Sequence, residues 1–508
     1  MNAVRHRLYE IDRESPLPIY HQLKEIIKAK IERGEFAPGE RIPTEYELCE
    51  AHGISRTPVR QALTELVNEG LLLRLRGRGT FVNGYSYLNV RPVKAIIPEK
   101  RWSSPLEKAV EIWNSENPGS RVKLDISLVG YPQFRFKIIA AVARGEAPDL
   151  ALIDSVWMAE FAELEYLQPL DELDREWIER DFKKDFFPSF ASNFFRGHLY
   201  GIPPEADVAG VWFRRDWFTL EGISPPRNWG ELLTATQHFK KKKIRNRYGL
   251  GDYPLAFPGG LEAGETTSYI LLPLLWSAGE EVFVDGKINL GEGARQVLSF
   301  LVDLVHRYKV AAPKVISCEW NRAPILFGQG QTALSFGGSY EKFIICQAAG
   351  WGEEEFKKRV GFLPFPAGPK GTATTMASGM VYSIFRQSKA HRQALEILKR
   401  AVSPGVMKDF CCSTGQNPPR ISVARALDPQ KDWFLYNTSR LLYNARVRPL
   451  IPEYAAVSEQ LQAMMENALS CRMTVEEAVG WAEQVIGAIM SGIDESQLSY
   501  YGRSSIPS

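Results

Sequence analysis

Between Ile19 and Ile31 the apolar residues Ile19, Leu23, Ile26, Ile27 and Ile31 recur every three or four positions, which is one face of a helix. Gly34 is its stop signal, and a loop from Pro38 to Pro43 follows. Thr44 and Glu47 then have the spacing of a capping box. In that motif the hydroxyl accepts from the third residue's N–H, and that residue's carboxylate reaches back. The box opens a short helix ending at Gly53. A second start lies at Ser55, with Pro58 in the first turn, where a missing N–H costs nothing. Val59, Ala62, Leu63, Leu66 and Val67 form the buried stripe of this second helix, and Gly70 ends it. The texture then becomes strand-like. Leu71–Arg76, a Gly77-Arg78-Gly79 tip and Thr80–Val82 predict a β-hairpin. Two helices joined by a short glycine-containing turn and followed by a hairpin predict a winged helix-turn-helix.

Beyond a short connector at residues 85–91 the period changes again. Strands are predicted at Val93–Ile97, Val122–Leu128 and Asp149–Ile153, with helices at Leu106–Asn114 and Phe134–Ala143 between them. That βαβαβ order predicts a parallel sheet with crossover helices. A length of 508 residues fits several folding units rather than one. The pattern divides it into residues 1–84, the connector, and residues 92–508. The longest apolar run, Tyr269–Trp276, is under half of the roughly 20 residues a membrane span needs, and it contains Pro273. No membrane partner is expected. The six cysteines are scattered without metal-ligand spacing, and the first twenty residues lack the apolar core of a secretion signal, so a cytoplasmic protein is expected.

Lys plus Arg number 62 against 60 Asp plus Glu, a formal net charge of +2 that gives no hint of a polyanionic partner. Distribution changes this picture. In a helix-turn-helix the second helix enters the major groove by its first residues, here Ser55, Arg56, Thr57 and Arg60. Arginine suits bidentate contact with guanine, and serine or threonine can meet bases or phosphates. Arg74, Arg76 and Arg78 would place the wing against phosphates or the minor groove. The segment PLPIYHQLKEIIKAKIERGEFAPGERIPTEYELCEAHGISRTPVRQALTELVNEGLLLRLRGRGTFV resembles, without gaps, the DNA-binding domain of the GntR family of bacterial transcription regulators. The resemblance implies DNA contacts at Tyr46, Ser55, Arg56, Thr57, Pro58 and Arg60, and on the wing at Gly77 and Arg78, with Arg76 beside them. Tyr46 stands where some members of that family have arginine.

The larger part carries no GxSxG, HExxH, P-loop or acidic metal loop, so no enzyme, no cofactor and no metal are expected. The Gly-rich stretch Gly328–Ala333 precedes a strand instead of opening a helix, which excludes a dinucleotide fingerprint. A pyridoxal-phosphate aminotransferase-like domain, found in some GntR proteins, is the enzyme alternative. Its lysine would be Lys389, but that residue merely precedes an amphipathic helix. Instead, residues 92 to about 470 resemble extracellular solute-binding proteins of sugar ABC importers. The matching pieces are Pro105–Val122, Ala143–Asp154, Leu167–Glu172, Leu199–Phe218 with Pro225–Leu232, and Phe327–Lys342. Such proteins are two α/β lobes around a cleft.

The fold class implied is therefore multidomain: an α+β winged helix-turn-helix followed by a two-lobed α/β module like a periplasmic binding protein. Sugars are held by aromatic faces and convergent polar groups. That chemistry together with the resemblance implies ligand contacts at Trp102, Asp154, Trp157, Glu205, Asp207, Trp212, Trp276, Ser339 and Tyr340. Trp212 and Trp276, flanked by apolar residues, suit core packing equally. The expected partners are double-stranded operator DNA, a small-molecule effector such as a mono- or oligosaccharide, and a second copy in a homodimer. The expected function is a ligand-responsive repressor, with a ligand-free lobe pair used only for dimerisation as a further alternative.

Overall fold

The computed structural model describes residues 11–13, 15–32, 35–37, 39–69, 71–75, 77–83, 91–117, 120–284 and 286–491. The chain divides into two units. One runs through Pro92 and takes in Val110–Leu124; the other holds Val93–Ala109 and the residues from Asp125 on.

In the first unit, α1 (Ile19–Glu32), α2 (Glu45–His52) and α3 (Arg56–Asn68) pack around Leu23, Ile27, Ile42, Leu48, Val59, Ala62, Leu63 and Leu66. Both halves of the capping box form at the start of α2. Thr44 Oγ1 accepts from the Glu47 N–H at 3.2 Å, and Glu47 Oε2 accepts from the Thr44 N–H at 2.6 Å. Gly53 closes the helix at φ +60°, a left-handed conformation that glycine adopts without a Cβ clash. Lys24 ties α1 to α3 through Glu65 and Glu69 at 3.0 and 2.8 Å. Strands β1 (Leu72–Leu75) and β2 (Gly79–Val82) form an antiparallel hairpin, with Leu72 opposite Val82 and Leu75 opposite Gly79. Its tip contains Gly77 at φ +76°. The stops read at Gly34 and Gly70, the residue Pro38 and the wing residue Arg76 lie outside the described residues.

From Arg91 onward the chain builds two sheets. The first combines β3 (Arg91–Ile97), β4 (Val122–Leu128) and β5 (Leu150–Asp154), with α4 (Ser103–Glu116) and α5 (Tyr131–Ala143) as the connections between them. β3 and β5 are parallel, as the βαβαβ pattern predicts. The second sheet is centred on β6 (Asp207–Arg214), every residue of which is buried. Around it lie β7 (Leu255–Ala256), β8 (Leu334–Gly338) and β9 (Val360–Leu363), in the order β9-β6-β8-β7. The apolar run at 269–276 lies in a buried helix, α6 (Glu265–Ser277), that carries Pro273 inside it. The long helices α7 (Tyr454–Leu469) and α8 (Val475–Met490) complete the core of this lobe. Among the described residues no helix is long and apolar enough to cross a membrane.

Two crossing segments join the sheets and position the site. Residues 202–207 leave the first lobe and become β6. Beside them β10 (Ala377–Ser378) pairs with β6, and β11 (Met380–Ile384) pairs with β5, completing the order β11-β5-β3-β4. One residue, Gly379, lies between a strand of one sheet and a strand of the other. Its φ of +152° is open to glycine, and a Cβ there would come within 3.0 Å of the Glu205 carbonyl oxygen.

Candidate DNA-reading face and ligand cleft

Ser55 occupies the N-cap of α3 in extended conformation, but its hydroxyl makes no capping hydrogen bond. Tyr46, Ser55, Arg56, Thr57 and Arg60 are exposed and Pro58 is half-buried; on the wing Gly77 and Arg78 are exposed as well. The arginines are not loose. Arg56 Nε and Arg60 Nε both donate to Glu45 Oε2, at 2.9 and 3.0 Å, and Arg74 Nη2 lies 3.6 Å from Glu45 Oε1. Partial burial would raise the Glu45 pKa, but the hydrogen bonds from Arg56 and Arg60 outweigh it and hold the carboxyl below its ordinary 4.5. A carboxylate thus gathers cations from the helix and the wing on one exposed surface.

In the second unit, Glu205 and Asp207 sit where the two crossing strands meet. Glu205 is 1% exposed, and its Oε1 accepts from the Met380 N–H at 3.0 Å. Its Oε2 has no hydrogen-bond partner of good geometry among the described residues. Burial pushes both carboxyls up from their ordinary values. The charge of Asp207 raises Glu205 further, while the Arg101 guanidinium opposes the rise of Asp207. Ser339 connects this pair to the second lobe. Its Oγ accepts from the Val208 N–H and from Asn417 Nδ2, each at 3.0 Å, and donates to Asp207 Oδ1 at 3.4 Å.

Aromatic faces surround the pair. Tyr340 lies 6.0 Å from Tyr269, ring to ring, and the buried Tyr269 hydroxyl has no partner among the described residues. Trp102, after β3, is buried under the Arg101 guanidinium at 4.1 Å, and among the described residues its Nε1 has no partner either. Buried polar atoms are nearly always hydrogen-bonded. The Glu205 carboxyl is hydrogen-bonded to Asp207, and the Tyr269 hydroxyl and the Trp102 indole N–H are therefore the atoms with which a bound polar ligand or water would form hydrogen bonds. Arg101 and Tyr340 also line a cavity of about 740 Å³, together with Gln329, Gln347 and the exposed rings of Trp320 and Phe343. This volume is within the roughly 300–1,000 Å³ of small-molecule sites.

Asp154 and Trp157 form a second group. The Tyr131 hydroxyl donates to Asp154 Oδ2, and the Tyr131 ring is 5.5 Å from Trp157. From the second lobe, Arg448 donates to Glu265 Oε1 at 2.8 Å and to Ser378 Oγ at 2.6 Å. Tyr454 and Ser458 donate to the same Glu265 carboxylate.

The model of the bacterial extracellular solute-binding protein family matches residues 96–408, well over half of the chain. The chain belongs to that family. In front of this solute-binding domain, residues 19–82 match the bacterial regulatory proteins of the gntR family. The N-terminal head is 56% identical over 73 residues to the HTH-type transcriptional repressor NagR of Bacillus subtilis, covering 14% of this chain and 30% of that protein. The solute-binding domain is 25% identical over 371 residues to a Brucella abortus protein named as a binding protein, covering 71% of this chain and 84% of that one. Among solved structures, maltose-bound MalE3 of T. maritima superposes with a TM-score of 0.65 at 23% identity, covering 78% of this chain and 99% of that one. The GacH receptor of Streptomyces glaucescens gives 0.66 at 22%, covering 79% and 99%. At that identity these two establish the two-lobed fold of the solute-binding domain, and the GntR-type head in front of it rests on the family match at residues 19–82.

Within the solute-binding domain, the sequence candidates separate by location. Trp102, Glu205, Asp207, Ser339 and Tyr340 gather at the strand crossing, with Asp154 and Trp157 in the second group. Trp212 is a core residue. It is fully buried, stacks on Phe434 at 5.4 Å, and gives its Nε1 proton to Glu341 Oε2 at 2.8 Å. Trp276 is packed in the core of the second lobe under the Arg446 guanidinium. For these two tryptophans the apolar flanks describe packing on both sides, which places neither in the cleft. Sequence reasoning passed over Arg101, Trp320, Phe343, Glu265 and Arg448 in the receptor and Glu45 in the head. Glu45 has an ordinary sequence signature, an acid in the first turn of a helix. Only the tertiary fold brings it to the arginines.

Proposed function

We propose that this protein is a ligand-responsive transcription regulator of the cytoplasm. Its GntR-type head binds operator DNA, and its solute-binding domain holds a carbohydrate of more than one ring. The observation that best supports the ligand class is the gathering of Trp102, Glu205, Asp207, Ser339 and Tyr340 around buried polar atoms, beside a cavity of about 740 Å³ that Tyr340 and Arg101 line together with further aromatic faces. Carboxyls pushed toward neutrality both donate and accept hydrogen bonds, as hydroxyl-rich ligands require. Trp320 and Phe343, 45% and 60% exposed, offer further aromatic surfaces for a ligand of more than one ring.

The domain binds and releases its ligand without turnover, and the protein acts as a homodimer on an inverted repeat. Ligand shifts the lobes toward closure only through its differential affinity for the closed form. In the repressor logic favoured here, ligand weakens DNA binding, and DNA must weaken ligand binding by the same factor. Calorimetry against mono-, di- and trisaccharides, with and without a duplex selected by the protein from a random pool, tests this reading. Oligosaccharide binding with equal reciprocal factors is expected. Binding of amino acids or polyamines but no sugar would overturn the ligand class. Protein that binds sugar and selects DNA without mutual influence would overturn the regulation.

A further inference from the structure

Glu45, Arg56, Arg60 and Arg74 form a cluster of charge on the surface of the first unit. Arg56 and Arg60 stand four residues apart on α3, so their guanidinium groups share a face and repel. Glu45 Oε2 accepts from the Nε of each, at 2.9 and 3.0 Å, although the two arginines are 69% and 61% exposed. Its other oxygen faces Arg74 of the wing at 3.6 Å. With Nε engaged, the plane of each guanidinium is set. The Nη atoms of Arg56 and Arg60 make no hydrogen bond among the described residues.

Exposed ion pairs contribute little to folding, so stability gives no sufficient reason for three arginines to converge on one acid. DNA recognition does. Bidentate reading of guanine needs two N–H groups of one guanidinium held in a fixed plane, whereas a phosphate can be met by a positive charge in almost any orientation. A carboxylate at this surface also repels phosphates, which weakens capture of arbitrary sequence. We propose that Glu45 is a positioning residue for sequence reading: it fixes the planes of Arg56 and Arg60, links them to the wing, and thereby favours the operator over other DNA. The inference rests on the DNA-reading role of the head. The depressed pKa of Glu45 agrees with it, since the carboxyl remains charged at neutral pH.

The test uses the full chain, a duplex selected by the wild type from a random pool, and the same duplex with its bases shuffled. Affinities are measured by fluorescence anisotropy across a salt series. Glu45→Gln is expected to bind the shuffled duplex more tightly, with a log–log salt slope steeper by about one. Its selected-to-shuffled affinity ratio should fall about tenfold. Glu45→Asp keeps the charge but shortens the arm that reaches both Nε atoms. It should keep the wild-type salt slope and still lose much of the ratio. Melting temperatures of both variants should stay near that of the wild type. A ratio within twofold of wild type in Glu45→Gln overturns the proposal. So does full recovery of the ratio in Glu45→Asp, which would reduce Glu45 to its charge. If the wild type itself selects no sequence, the DNA-reading role fails first and the inference fails with it.

Discussion

The head and the receptor treat the same functional group in opposite ways. Glu45 stands on an exposed surface among three arginines, which hold it ionised against the effect of partial burial. Glu205, Asp207 and Glu341 lie in the interior of the receptor, where burial drives their pKa values up. The neighbouring Asp207 raises the cost of charge on Glu205 further, while the hydrogen bond from Glu205 eases it on Asp207. The difference teaches what each region is built to meet. A surface that must discriminate among polyanions keeps its acid charged, as a counterweight to its cations. Buried acids that can carry a proton suit a site for an uncharged ligand, as proposed for the receptor. The formal net charge of +2 reflects neither arrangement.

The largest effect should come from removing a side chain that belongs wholly to the receptor core. Trp212→Ala deletes a fully buried ring stacked on Phe434 and leaves Glu341 without its indole partner. A loss of about 3–5 kcal/mol in urea unfolding is expected, and the isolated chemistry of the arginine cluster should be untouched. Next, Arg56→Ala should weaken binding to the selected duplex by about 1–3 kcal/mol while sugar calorimetry stays at its wild-type value. If both readouts moved together, the division of labour would be lost. A smaller effect is expected from Thr44→Ala, which removes one half of the capping box on α2. About 1 kcal/mol of head stability should go, seen by hydrogen exchange of the α2 amides.

The smallest effects are those of pH, and here the two regions should diverge in sign. Glu45 has a depressed folded-state pKa, so its contribution is present above the ordinary value of 4.5 and is lost as pH falls through the folded value. The small melting-temperature gap that separates Glu45→Gln from the wild type at neutral pH should therefore close in acid. Glu205 has a raised folded-state pKa, so the benefit of its neutral form is complete below 4.5 and disappears as pH rises through the folded value. Glu205→Gln cannot ionise. Its melting temperature should gain on the wild type as pH rises above 4.5 and level off beyond the folded value, and parallel pH curves would erase the contrast.

Much of this contrast was hidden in the sequence although much of the fold was open to view. The capping box at Thr44 and Glu47, the stripe Val59, Ala62, Leu63 and Leu66, and the strands around 93–97, 122–128 and 150–153 are written in local spacing, and local spacing is what periodicity reports. The gathering of Glu205 and Asp207 was also accessible, because both lie on one short crossing segment. Glu265 and Arg448 were not, since nothing local links residues so far apart. Nor could the pattern place Trp212. Strand β6 is buried on both faces, so Val211, Trp212 and Phe213 show no polar alternation that would separate the cleft side from the core side. For Glu45, an acid that suits a helix start reads the same whether or not arginines await it.

The single-residue passage at Gly379 also orders events during synthesis. The first sheet needs β11 from Met380 onward to pair with β5, and the second needs Ala377 and Ser378 against β6. Neither can be completed until the ribosome has passed the middle of the receptor, and pairing over such chain separations is slow. The head finishes its own contacts by Val82. A nascent chain would then carry a folded N-terminal unit well before either lobe of the receptor could close.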